Sequence, residues 1–137
     1  MLFRSVIYSP FTSTVNHYLR ANLGFESDQP YEILTGKVQP WNWGSAERGF
    51  PYVGESLRKA MNKNKFLKVF IGNGWYDLAT PFFASEYTIN HLSLEPELRN
   101  NISMKYYRSG HMMYIEKESL IQFTKDIEQF YANVLSQ

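Results

Sequence analysis

The chain has 137 residues, with 44% hydrophobic and 20% charged side chains and a formal net charge of +1, a mix that suits one small globular domain. That near-neutral charge, with no basic run longer than two residues, excludes the concentrated positive surface that nucleic-acid binding requires. The lack of cysteine excludes disulfide scaffolds, thiolate metal sites and cysteine nucleophiles, and no apolar run approaches the ~20 residues that cross a bilayer.

The N-terminal "MLFRSVIYSPF" carries Arg4 within a short apolar stretch and offers no small-residue cleavage site, so it makes a poor signal peptide. Either the protein is not exported or its natural start lies upstream; an exported or periplasmic parent is compatible with the second. The spacing of Val15, Tyr18, Leu19 and Leu23 predicts a helix over "TSTVNHYLRANLG", capped by Thr12 or Ser13 and stopped by Gly24. Residues 25–52 lose periodicity under repeated Pro and Gly, and a long irregular segment is expected there. Trp41 and Trp43 lie within it and, with Trp75, offer either packing or the wall of an apolar subsite.

"GESLRKAMNKN" predicts a short helix with Leu57, Ala60 and Met61 inward. A strand is expected over residues 66–72, closed by Gly72-Asn73-Gly74. "TPFFASEYTINHL" predicts a largely buried helix with Thr80 as N-cap, Pro81 in its first turn, and Phe82, Phe83 and Tyr87 in the core. "NISMKYYRSG" gives a second strand. The last helix spans about 117–135, with Leu120, Phe123, Ile127, Phe130, Tyr131 and Val134 on one face.

Strand, helix, strand, helix is the pattern of parallel strands joined by crossover helices. Two parallel strands make a poor sheet alone, and nothing in residues 1–65 clearly supplies more. The expected class is therefore α/β with an incomplete sheet, the end of a larger protein: residues 1–50 helical and irregular, residues 51–137 belonging to the core.

In open α/β sheets, functional groups collect past the carboxyl ends of the strands. Asp77 follows the first strand and His111 the second. A carboxylate that accepts one imidazole N–H fixes the tautomer, and the other ring nitrogen is then free to take a proton from a serine hydroxyl. The order acid then histidine matches the last two members of an α/β-hydrolase triad. Against this, an Asp in a Gly-rich turn often serves its own backbone, and a His near a helix start often caps or packs. No nucleophile accompanies the pair. Ser56 in "VGESLR" has Arg58 where a nucleophile elbow needs a small residue, lacks an apolar strand before it, and reads as an early residue of a helix. His17, His91 and His111 are too dispersed for a metal pair, and "GNG" lacks the third glycine of a dinucleotide loop, so no metal and no cofactor are expected.

"GNGWYDLATPFFA" with "SGHMMY", together with "YEILTGKVQPWNWG" and "LRKAMNKN", closely resembles the serine carboxypeptidases, in particular their bacterial branch, over roughly residues 10–135. The resemblance implies the C-terminal portion of an α/β-hydrolase, with Asp77 as triad acid, His111 as triad base, and Met112 lining the leaving-group pocket. Residues 1 to about 50 would be the end of the insertion that caps the active site. The family's Gly-Glu-Ser-Tyr-x-Gly nucleophile motif, oxyanion hole and carboxylate-recognition residues have no counterpart in these 137 residues. The implied substrate is a peptide, the implied partner the missing N-terminal part of the same protein, and the chain alone is expected to be inactive. An aminopeptidase or esterase carrying the same two residues, or a non-catalytic remnant that self-associates through its open sheet, are the other readings. Neither nucleic acid nor membrane is an expected partner.

Overall fold

The computed structural model describes residues 2–33, 35–44 and 51–136, with side chains from Val6 onward. The chain divides into two compact units, Met1–Gly49 and Phe50–Gln137.

In the first unit, helix α1 spans Leu2–His17 and passes into a wider turn over Tyr18–Asn22, where the Leu23 amide reaches back five residues to the Tyr18 carbonyl at 3.1 Å. The predicted helix start after Pro10 is wrong. The helix runs through Pro10 and gives up one amide donor there rather than breaking. Gly24 ends it as expected, at φ +63°, a conformation open to glycine at no steric cost. Beyond it, residues 25–33 and 35–44 hold no strand or α-helix, in keeping with the expected irregular segment; residues 45–50 lie outside the described residues. Trp41 and Trp43 meet edge to face and are both more than half exposed.

The second unit contains α2 (Gly54–Lys63), β1 (Val69–Gly74), α3 (Phe82–Asn90), α4 (Pro96–Arg99), β2 (Ile102–Tyr107), a 3-10 turn at Met113–Ile115, and α5 (Lys117–Leu135). β1 and β2 pair in parallel, Val69 opposite Ile102 through Gly74 opposite Tyr107. This is an α/β arrangement built on a two-stranded parallel sheet. β1 starts later than predicted and continues through Gly72-Asn73-Gly74, because the glycines expected to close it are paired with Lys105 and Tyr107. Asn101 ties the lower ends together: its carbonyl accepts the Val69 amide at 2.9 Å, and its side chain bridges the Lys65 carbonyl and the Lys68 ammonium.

Side chains alternate across a strand, and the two consecutive tyrosines of β2 show it. Tyr107 faces α5, stacking edge to face on Phe123 and donating its hydroxyl to Asp126 at 3.1 Å. Phe70 of β1 shares that face and meets Phe123 and Phe130. Tyr106 faces α3: it donates to Glu86 at 2.6 Å and packs against Phe82 and Trp75. Burial and these acceptors raise both phenols, Tyr106 to about 12, so both remain neutral donors. α5 begins at Glu116, whose carboxylate accepts the Glu118 and Ser119 amides.

The fully interior apolar residues among those described are few: Met61, Ile89, Leu92, Leu98 and Tyr107. The prediction of a largely buried α3 fails. Only Ile89 is buried, Phe82 is half-buried, and Phe83 and Tyr87 are exposed. A sheet two strands wide gives a helix a narrow footing, so α3 rests on one flank and turns the rest outward. The same narrowness leaves Leu120 and Tyr131 of α5 exposed, and Ala60 of α2 is also outside the core.

Past Gly74 and Tyr107 the two strands continue to bond through their loops. The Trp75 amide donates to the Tyr107 carbonyl at 2.9 Å, and the Tyr76 amide to Ser109 at 3.0 Å. Gly74 is what lets the loops approach. A Cβ there would stand 2.3 Å from the Gly110 carbonyl oxygen and 2.7 Å from that of Ser109, which are backbone atoms that cannot swing aside. Gly74→Ala is therefore expected to cost about 1–3 kcal/mol and to push the two loops apart. Urea unfolding and amide exchange at Trp75 and Tyr76 measure both; an unchanged variant would show that the loops are not in contact there.

Candidate active site

Asp77 sits at the first turn past β1, its amide held by the Gly74 carbonyl at 3.2 Å. His111 sits four residues past β2, in the loop that Trp75 and Tyr76 tie down. Adjacent parallel strands end at the same edge, so residues 34 apart in sequence come together. His111 Nδ1 lies 2.9 Å from Asp77 Oδ2. The separation expected of the pair in sequence is thus closed in space. Met112 follows directly, half-buried, at the head of the 3-10 turn.

The carboxylate of Asp77 is 6% exposed and fully engaged. Oδ1 accepts the Ala79 and Thr80 amides, both at 2.8 Å. Oδ2 accepts the Thr80 hydroxyl at 2.6 Å as well as His111. Both readings of an Asp in this loop hold at once: it organises its own turn, and it meets the histidine. The Thr80 hydroxyl and amide hold its carboxyl well below the ordinary value of 3.8, with the His111 and Ala79 N–H groups adding to them against the opposing effect of burial.

Two of these donors are main-chain amides with fixed protons, the Thr80 hydroxyl donates beside them, and an ionised carboxylate only accepts. The bond to His111 therefore needs a proton on Nδ1, and in the neutral ring that leaves the lone pair on Nε2. The His111 side chain is 62% exposed, and Nε2 has no partner among the described residues. The arrangement is an imidazole bonded through Nδ1 to a buried carboxylate, with most of its ring exposed. Ser56 is an exposed third residue of α2, and among the described residues no serine side chain bonds to His111. Among the described residues no group of three His, Asp or Glu side chains has the geometry to hold a metal ion.

Sequence reasoning missed Thr80 as part of this site by assigning it to the cap of α3. The helix instead starts after Pro81 without a side-chain cap, and Thr80 serves Asp77. The signal was present as the Asp-x-x-Thr spacing, in which an Asp accepts the amides two and three residues ahead. Trp75, half exposed beside the loop, stacks on Tyr106 at 4.8 Å and braces this loop against β2.

Comparison with known proteins gave no match, whether to family models, to curated sequences or to solved structures.

Because the folded Asp77 carboxyl titrates below its unfolded value, its stabilisation is fully present above the unfolded value near 3.8 and is lost as pH falls from there toward the folded one. The unfolding midpoint of the native chain is expected to drop between about pH 4 and pH 2. Asp77→Asn should be less stable at neutral pH and should show a shallower acid slope. Parallel urea titrations compare the slopes; equal slopes would mean that Asp77 is not held ionised by its neighbours.

Proposed function

We propose that this chain carries the acid and the base of a serine-type hydrolase of the α/β-hydrolase fold, a carboxypeptidase that removes residues from the C-terminus of peptides. The observation that supports it most is the 2.9 Å bond between Asp77 and His111, made by loops that leave adjacent parallel strands at the same edge, with the His111 ring mostly exposed. The resemblance of "YDLATPFFA" and "SGHMMY" to the serine carboxypeptidases supports the peptidase reading.

In this reading a serine supplied by the upstream part of the same protein places its hydroxyl at His111 Nε2. The imidazole takes the proton as the serine oxygen bonds to the peptide carbonyl carbon. It returns that proton to the amine as the C–N bond breaks, leaving an acyl-serine ester. Water, deprotonated by the same nitrogen, then bonds to the ester carbonyl carbon, and the proton passes to the serine oxygen as the C–O bond to it breaks. Asp77 never takes the proton; it orients the ring and offsets the transient imidazolium charge. Met112 lines the pocket for the departing residue. An aminopeptidase or esterase would use the same pair, and the groups that would bind a substrate's terminal carboxylate distinguish them.

Co-expression with the upstream half of the gene is expected to give a complex that releases C-terminal amino acids from peptides. His111→Ala should lower its kcat by at least about a thousandfold. An active complex indifferent to that substitution would overturn the assignment.

A second reading, a self-associating module, draws on the apolar surface of the second unit. Leu78 is 94% exposed and Phe66 89%, and Phe70, Gly72, Met113, Phe123 and Phe130 line an open apolar groove of about 420 Å³. Among the described residues no further strand pairs with either edge of the two-stranded sheet. Sedimentation of the chain alone is expected to show a dimer or larger species. A monomer that unfolds cooperatively would sink this reading.

A further inference from the structure

We propose that Thr80 is the positioning residue of the Asp77–His111 pair, its hydroxyl holding the proton on His111 Nδ1 through the carboxylate oxygen they share. Thr80 Oγ1, Asp77 Oδ2 and His111 Nδ1 form a triangle with sides of 2.6, 2.9 and 3.4 Å. With a neutral imidazole two proton arrangements fill such a triangle, the second holding one proton more than the first. In one, the hydroxyl and the ring N–H both donate to an ionised Oδ2, and Nε2 keeps the lone pair. In the other, a protonated Asp77 donates to Thr80, Thr80 donates to a bare Nδ1, and Nε2 carries the hydrogen. Only the first leaves a base at the exposed nitrogen.

Three observations select the first. Oδ1 already accepts two main-chain amides, which favours the carboxylate over the acid. The Thr80–Asp77 bond is the shortest to that carboxylate, in the range of a hydroxyl on a charged oxygen. And the ring is mostly exposed, with Asp77 and Thr80 its hydrogen-bond partners among the described residues, so its proton placement rests on this triangle. Thr80 is suited to the task because its own amide is pinned to Oδ1, which leaves the hydroxyl within reach of the other oxygen.

The role deepens the reading of the pair as acid and base, but its test needs no turnover. The chain, labelled at the histidine nitrogens and the aspartate carboxyl, is followed by NMR. In the native chain the neutral His111 ring is expected as the Nδ1–H tautomer. Thr80→Val, which keeps the shape and removes the hydroxyl, should raise the Asp77 midpoint by about one pH unit or more, and with Oδ2 no longer held toward the ring by that hydroxyl it should shift His111 toward the mixture of a free imidazole. Thr80→Ser should restore both native values. A folded Thr80→Val with native midpoint and tautomer would overturn the proposal. Should that variant not fold, the native chain decides: a Thr80 hydroxyl proton protected from solvent and lost on titration of Asp77 supports it, and one that exchanges freely overturns it. Peptidase activity indifferent to His111→Ala would defeat the hydrolase reading and leave these signals unchanged, so the two failures are told apart.

Discussion

The parallel register of β1 and β2, carried past the sheet by two loop amides, is the constraint on which the site depends. Gly74 lies opposite Tyr107, and the next two amides of the first loop bond to the Tyr107 and Ser109 carbonyls. Asp77 and His111 thus follow from a ladder that has already fixed their loops side by side. A slip of one residue would turn every side chain of one strand to the opposite face. Tyr107 would leave Asp126, Tyr106 would leave Glu86, and the loops would no longer meet. The glycine at 74 and the tyrosines at 106 and 107 belong to the site as much as the two titrating groups do.

The two faces of this sheet are held by unlike means. On the α5 side, aromatic rings carry the contact, and Asp126 collects Tyr107, Gln122 and Lys105 around one buried carboxylate. On the α3 side the contact is thinner: Tyr106 bonded to Glu86 and stacked on Trp75, with Arg99 of α4 donating to the Ile89 carbonyl and Asn90 at the far end of the helix. Few apolar side chains are wholly buried, so polar ties carry more of the specificity than is usual in a larger α/β core.

Much of the back half was legible in the sequence. The periodicity of α5 and the placement of a helix at 82–90 follow from local pattern, and so do the strand–helix–strand order and the pairing of Asp77 with His111 by topology. What failed did so for identifiable reasons. The glycines after Ile71 read as the close of the strand, yet they stay in it, where pairing decides and propensity does not. Phe83 and Tyr87 read as core because a helical pattern shows how apolar a face is, but not whether anything covers it. Thr80 was lost because a residue before a helix satisfies two local rules equally well, and only the geometry shows which oxygen it serves.

Three of the four donors around the Asp77 carboxylate come from the next three residues of its own chain. Such dipoles are frozen when the turn forms and need not rearrange when the charge beside them changes. Their orientation is therefore fixed when the loop between β1 and α3 folds. The half-site is self-sufficient in that sense. A group that meets the exposed ring of His111 meets a side chain whose carboxylate partner is already in place.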